Sequence, residues 1–316
     1  MSLKTILQKT PLNTYYTEWK WREKKVSYGE EYPDKTFYVI RRATCKVGLF
    51  SFVTTFLGQI VWAVEQGYIP VIDLLNNRNT YLTEDLVGRE NAWEYFFEQP
   101  MGYDMASIAH AKNVILSNGL VPHYPEYPDP QIAGDPQLCE RWRLEAQKYI
   151  HPTVHLTEEV ERVERELFGT EPSRVLGILC RGTDYLQGRP SGHPVQPEPC
   201  DVIDKAREMM VRLDCRHIYL ATEDEEIYRL FRDAFGDAVK TAQKKRIKTT
   251  GDENVNDAFS AGKITPKEIG TEYLISVLIL ARCTALLAGN AGGTHGALLL
   301  TEGYEETYVY DLGLYD

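Results

Sequence analysis

The chain has 316 residues, 43% of them hydrophobic and 26% charged, the composition of a folded protein with a substantial core and enough length for two domains. Lys and Arg total 35 against 46 Asp and Glu, a formal net charge of −11. That balance argues against nucleic acid as a general partner, because counterion release needs a basic surface, but it leaves room for a local basic pocket that takes a phosphate.

The six cysteines (Cys45, Cys139, Cys180, Cys200, Cys215, Cys283) contain no Cys-x-x-Cys pair, so neither a zinc ribbon nor a redox motif is indicated. A chain of this length with a large core does not call for a disulfide framework. The start, Met1-Ser2-Leu3-Lys4-Thr5, carries no apolar signal region, and the longest apolar stretch, Tyr273 to Leu280, is too short to span a bilayer. The expectation is a cytoplasmic, reduced protein with no integral membrane segment.

In chain order, Phe37-Tyr-Val-Ile40 reads as a strand, followed by a loop holding Cys45, Lys46 and Gly48. An apolar helix is predicted from about Phe50 to Glu65, then strands over Tyr68–Leu74 and Asn113–Ser117. Val121 to Pro136 contains five prolines and reads as an irregular surface loop. Thr157 is a plausible N-cap for a helix over Glu158–Phe168, with Glu158 and Glu159 suiting the positive end of its dipole. Gly169 ends that helix, and the domain boundary is placed there, giving domains 1–169 and 170–316.

The second half has a stricter rhythm. Val175–Cys180 reads as a buried strand and Asp201–Leu213 as a helix, followed by strand His217–Ala221 and helix Asp224–Phe235. A short strand around Ala238–Ala242 follows. Pro266–Cys283 is the strongest helix, with Leu274, Val277, Leu278 and Ala281 at i, i+3, i+4 and i+7. Strand Ala285–Ala288, helix Thr294–Glu302 and strand Thr307–Tyr310 complete the pattern. Alternation of this kind predicts an α/β fold with a parallel sheet, helices on both faces and ligands beyond the carboxyl ends of the strands.

The strand-end loops therefore carry the candidate chemistry. Arg181-Gly-Thr-Asp-Tyr185 follows the first strand of the second half. Arg181 can form bidentate bonds to a phosphate, and Asp184 can orient that guanidinium or act as a base; the plainer alternative is a surface turn with an ion pair. Thr222-Glu-Asp224 lies at the next strand end, where a carboxylate accepts bonds from a base or ribose, or Asp224 merely caps a helix. Gly289-Asn-Ala-Gly-Gly-Thr-His-Gly296 joins a strand to a helix and offers backbone N–H groups to an anion, or forms a bare tight turn. It is neither a Walker loop nor Gly-x-Gly-x-x-Gly. Lys46 can face a cleft from the opposite domain or be merely solvated, and the run Lys244, Lys245, Arg246, Lys248 reads as an exposed loop. No His/Cys/Asp/Glu set has metal-ligand spacing, and no Gly-x-Ser-x-Gly elbow is present.

Taken in order, Cys180-Arg-Gly-Thr-Asp-Tyr185, Tyr219-Leu-Ala-Thr-Glu-Asp224 and Glu272 to Gly293 resemble the three motifs of GDP-fucose-dependent fucosyltransferases, the α1,6-type group above all. His193-Pro194, twelve residues after Arg181, and the Cys45-Lys-Val-Gly48 loop before a long apolar helix resemble further segments of that family. The resemblance implies a GT-B-like fold, two Rossmann-like domains facing a cleft, with the acceptor side in 1–169 and the nucleotide sugar held by 170–316. It implies an inverting, metal-independent transfer of fucose from GDP-fucose to a glycan or glycoconjugate hydroxyl, with GDP-fucose as donor substrate and no cofactor. Arg181 matches the family's essential arginine, Glu223 and Asp224 its acidic pair near guanine or ribose, and Glu272 the carboxylate before its apolar helix. Lys46, Gly48, His193, Gly292, Gly293 and Thr294 fall in its donor-binding segments.

Departures are visible too. The family's second arginine is Gly182 here, a histidine two residues before the essential arginine is Leu179, the carboxylate eight residues after it is Arg189, and a serine pair is Gly292-Gly293. Thr294 is then the nearest hydroxyl, and Asp184 the remaining candidate base. Two other readings stay open: a transferase of the same fold using another nucleotide sugar, and a nucleotide-sugar-binding protein without catalysis. A dehydrogenase is disfavoured, since no dinucleotide fingerprint follows a first strand. The oligomeric state is not legible.

Overall fold

A computed structural model of the chain describes residues 11–44, 46–170, 173–182, 191–242 and 265–316. Packing divides it into two compact units, one comprising 1–128 with 148–151 and the other 129–147 with 152–316. The first is built on a four-stranded sheet, β1 (Lys24–Val26), β2 (Phe37–Ile40), β3 (Ile69–Ile72) and β4 (Val114–Leu116), in the order β1-β4-β2-β3. β2 runs parallel to β3 and β4, but β1 pairs antiparallel with β4, Lys25 opposite Ile115. That edge strand was not predicted. Lys24-Lys25-Val26 is three residues long and charged, so it carries no apolar alternation to read.

Helix α1 (Pro11–Trp21), also unforeseen, precedes β1; its Trp21 is buried, and an added Cβ at Gly119 would strike the Trp21 ring. Helix α2 (Leu49–Glu65) crosses from β2 to β3 as predicted, burying Phe52, Val53, Phe56, Leu57 and Ile60. Tyr38 of β2 meets Trp62 of α2 at 5.1 Å. On the opposite face Phe37, Val39, Val71 and Val114 form a core with Ile108 of the short helix α3 (Met105–Ile108). The proline-rich stretch is not purely a surface loop. It makes 3-10 turns at Val121–His123 and Pro130–Ala133 and buries Ile132. Helix α4 (Pro136–Tyr149) follows, unforeseen because only Trp142 and Ala146 of its residues are buried.

The second unit carries β5 (Val175–Leu179), β6 (His217–Ala221), β7 (Val239–Lys240), β8 (Ala285–Gly289) and β9 (Glu306–Tyr310), all parallel in the order β7-β6-β5-β8-β9. β5, β6 and β8 are sandwiched on both faces, which is why their sequences are continuous apolar runs. Helices α6 (Pro199–Arg212) and α7 (Glu225–Phe235) cover one face, where Val202, Ala206, Met209, Ile227 and Phe231 pack on Leu176, Ile178, Ile218 and Leu220. Helix α8 (Pro266–Ala281) lies on the other, with Tyr219 Oη 3.1 Å from Ser276 Oγ. α8 is buried around most of its circumference, and helix α9 (Gly292–Leu300) packs beside it. A capping box starts α8: Glu268 N–H donates to Thr265 Oγ1, Thr265 N–H donates to Glu268 Oε2, and Pro266 takes the first helical position.

Helix α5 (Val154–Phe168), assigned by sequence to the N-terminal domain, belongs by packing to this second unit, so the grouping falls elsewhere than residue 169. Glu164 pairs with Arg282 at 2.7 Å, and Phe168 stands against His217 and Tyr219. Its N-cap is Thr153, not Thr157; Thr157 sits inside the first turn and returns its hydroxyl to the Thr153 carbonyl. Leu156, in the first turn, is buried, and the start falls earlier than the acidic pair suggested. Gly169 does end the helix, at φ +80°. No helix among the described residues is long and apolar enough to cross a membrane.

Candidate functional site

From β5 the chain winds through α6 and β6 to one side, while β8 and β9 lie on the other, so the order of the second sheet reverses between β5 and β8. At such a point two adjacent strand-end loops diverge and leave a crevice. The loops here are Cys180-Arg181-Gly182 after β5 and Gly289-Asn290-Ala291 before α9, with Thr222-Glu223-Asp224 beyond β6.

Arg181 does not extend into bulk water: its side chain is 22% exposed, and Nε lies 3.2 Å from Oε1 of Glu223, itself 11% exposed. The same Glu223 oxygen accepts the Gly182 N–H at 3.2 Å. One carboxylate thus pairs by charge with the guanidinium and hydrogen-bonds the turn bearing it. Asp224 has a different task. Its Oδ1 accepts the N–H groups of Glu226 and Ile227 and caps α7, so the plainer of its two sequence readings is the one seen. A Cβ added at Gly182 would come within 2.6 Å of the Asp224 Cβ, in the space its carboxylate occupies. Any side chain in place of Gly182 would therefore displace the cap. Burial, with Glu223 and Asp224 nearby, pushes the Cys180 thiol up, so it remains neutral.

At the β8–α9 turn, Gly292 opens the helix and is exposed, while Gly293 lies buried where a Cβ would be 2.7 Å from Leu179 Cδ1 and 2.9 Å from Tyr273 Oη. That close approach lets α9 sit directly on β5 and α8. The N-cap, Ala291, offers no side-chain bond to the first turn. Thr294 is not available as a hydroxyl: it is fully buried and donates to the Gly289 carbonyl at 2.6 Å, a local bond that closes the turn.

Three polar residues around this turn were not singled out by sequence. Gln196, 3% exposed, donates from Nε2 to the Asn290 carbonyl at 2.8 Å and to the Pro194 carbonyl at 3.1 Å, while its buried Oε1 lies over Gly289 without a hydrogen-bond partner. His295 Nε2 is 2.7 Å from Asn290 Oδ1, and burial, opposed in part by Asp129, lowers the His295 pKa to about 4. An Asn followed five residues later by His across a strand–helix turn was the available signal; Gln196, between two prolines, left none.

The other candidates fall as follows. Glu272 is exposed on α8, one residue before the Tyr273 that abuts Gly293. His193 is exposed in a segment that exchanges backbone bonds with the C-terminal tail, its carbonyl accepting the Tyr315 N–H at 2.9 Å. Lys46 and Gly48 are exposed in the first unit, Gly48 as N-cap of α2 with nothing within 4 Å of an added Cβ. Asp184, Arg189 and the basic run at Lys244–Lys248 lie outside the described residues.

Two further arginines follow β2 directly, the placement that drew attention to Arg181. Arg41 reaches the Ser117 carbonyl at 2.6 Å and stacks over Trp21; Arg42, 7% exposed, donates from Nη1 to the Ser51 carbonyl at 2.6 Å and to Thr55 Oγ1 at 3.0 Å. Burial lowers the pKa of both. Among the described residues no group of three His, Cys, Asp or Glu side chains is placed to hold a metal ion.

No family model and no curated protein matches the sequence. Solved structures do match the fold. POFUT1 in complex with GDP aligns at TM-score 0.53 and 10% identity, over 87% of this chain and 98% of that one. POFUT1 in complex with GDP-fucose aligns at 0.51 and 11%, over 89% and 99%. NodZ alpha-1,6-fucosyltransferase soaked with GDP-fucose aligns at 0.48 and 17%, over 84% and 93%. The chain has the mixed α/β fold of the POFUT1 structures across nearly their whole length.

Proposed function

We propose that the protein is a glycosyltransferase that moves fucose from GDP-fucose to a glycan hydroxyl with inversion, and that the donor's diphosphate is held at the β5/β8 crevice. The observation that carries this reading is the guanidinium of Arg181, ion-paired with Glu223 at the carboxyl end of the central strand where the strand order reverses. The fold shared with POFUT1, solved with GDP-fucose, supports it, as do the three ordered motifs. An acceptor side in the first unit belongs to the same proposal.

In this chemistry the acceptor oxygen forms a bond to C1 of fucose as the C1–O bond to the β-phosphate breaks. The electron pair leaves with GDP, and the acceptor proton passes to a carboxylate, for which Asp184 is the candidate. Arg181 and the unpaired N–H groups at the start of α9 stabilise the charge on the departing diphosphate. Glu223, which pairs with Arg181 and accepts the Gly182 N–H, positions that guanidinium and its turn.

A second reading, nucleotide-sugar binding without transfer, draws on Gly182, Arg189 and the occupied hydroxyl of Thr294. Both are tested by incubating the protein with GDP-fucose, GDP-mannose and UDP-sugars, with and without a glycan acceptor, and measuring free nucleotide by chromatography. GDP release from GDP-fucose, increased by acceptor, is the expected result. Binding of GDP-fucose without release selects the second reading, and release from UDP-sugars alone overturns both.

A further inference from the structure

We propose that the outer face of α1, with the corner that leads into β1, binds the surface of an anionic lipid bilayer. The inference concerns the first unit alone and does not depend on the reaction proposed above. Among the described residues five tyrosine or tryptophan side chains are exposed; four of them, Tyr15, Tyr16, Trp19 and Tyr28, fall in this one short stretch, and the fifth, Tyr308, lies in the other unit. Thr17 and Trp21, one turn apart, mark the side of α1 that packs on the protein, the first half-buried and the second buried. At about 100° per residue this sets Tyr15, Tyr16 and Trp19 on the opposite side of the helix. There they are 73%, 57% and 48% exposed, a concentration of rings in water that marks an interaction surface.

Charge says which partner the rings meet. Between Thr14 and Lys25 the chain carries Lys20, Arg22, Lys24 and Lys25 against Glu18 and Glu23, a local positive excess in a chain of net charge −11. Both carboxylates have neighbours of their own. Glu18 Oε2 lies 3.5 Å from His123 Nε2, and Glu23 adds to burial in pushing the Tyr38 hydroxyl up. Two of the lysines lie on rings instead, Lys20 Nζ 5.3 Å from the centre of Trp21 and Lys24 Nζ 4.6 Å from that of Trp19. Charges more than about 10 Å away are screened at ordinary salt, so an approaching bilayer responds to this local excess rather than to the net charge. Tyrosine and tryptophan beside lysine suit the headgroup layer, where the ring enters the acyl boundary while the polar tip and the ammonium stay in water. A sugar platform would use the same residues but needs open, aligned ring faces. Lys24 covers one face of Trp19, and Tyr16 is tilted 30° to it at 6.1 Å. The convex side of a helix also fits a plane better than a single glycan chain.

The test is co-sedimentation of the full chain with phosphatidylcholine vesicles and with vesicles of equimolar phosphatidylcholine and phosphatidylglycerol. It compares wild type, Tyr16→Ser/Trp19→Ser, Lys20→Glu/Lys24→Glu and the control Tyr308→Ser, each checked for an unchanged urea midpoint. Wild type is expected to bind the mixed vesicles, less tightly as salt is raised, and to bind phosphatidylcholine vesicles poorly. Each double variant is expected to bind the mixed vesicles about tenfold more weakly or worse. Tyr308→Ser, which removes an exposed ring that also has a lysine, Lys205, over it, should behave as wild type. Wild-type protein that binds neither vesicle, or both equally, overturns the inference without need of a variant. Binding to mixed vesicles that survives in both double variants, or that Tyr308→Ser loses to the same extent, overturns it too. Binding of soluble glucose or N-acetylglucosamine oligomers that is lost in Tyr16→Ser/Trp19→Ser, with no response to either vesicle, assigns the face to a glycan and overturns the membrane reading.

Discussion

Arg181 and Gly182 show how much a single position can reveal and conceal. An arginine directly after a buried strand is conspicuous in sequence, and the structure places it in an ion pair at the crevice. Gly182 is conspicuous only as a departure from the related motif, and its reason lies in a residue 42 positions away: Asp224, capping α7, fills the volume a side chain would need. No local pattern encodes that contact. Gly182→Ala is therefore expected to destabilise the protein by about 1–3 kcal/mol, as overpacking does, in urea denaturation. Gly48→Ala, at an open position with nothing near its Cβ, should stay within about 0.5 kcal/mol of wild type in the same experiment. Comparable losses at both positions would contradict the packing argument.

Helices were legible where burial wrote a period and illegible where it did not. α2 and α8 are apolar over most of their length and were read within a few residues of their ends, whereas α1 and α4 bury too little to announce themselves. α8 also carries a reciprocal capping box; Thr265→Ala is expected to cost about 1 kcal/mol, measured as a lowered denaturation midpoint with unchanged slope. α9 was read two residues late, because Gly292 and Gly293 look like loop until Leu179 and Tyr273 are seen to demand them. The same helix contains a titration. Burial sets the folded-state pKa of His295 at about 4 against 6.5 for the free side chain. Between those values the unfolded chain binds the additional proton, so stability is complete above about pH 6.5 and declines as the pH falls towards 4. The part due to this group reaches about 3 kcal/mol and should be missing from the pH profile of His295→Gln, determined by urea denaturation at each pH. Superimposable profiles would contradict that lowered pKa.

At the scale of the molecule, the alternation of strands and helices was sufficient to foresee the second sheet, since a parallel sheet needs a crossover between neighbouring strands and both faces covered. It was insufficient for grouping. α5 looks from its amphipathic sequence like the last helix of the first domain, yet its apolar side and Glu164 are matched by α8 and Arg282 of the second unit, partners 118 residues further on. The site was legible to the extent that it is made of strand ends; the roles within it were not, because Glu223, Asp224 and Thr294 differ in what their side chains bond rather than in where they lie. The reading as a whole depends on the ion-paired guanidinium of Arg181 meeting a diphosphate. Calorimetric titration of GDP into wild-type protein and Arg181→Lys tests this most directly, because lysine keeps the charge and loses the fork. Wild type should bind GDP and the lysine variant should bind it about tenfold more weakly or worse; equal affinity in the two proteins would contradict the account.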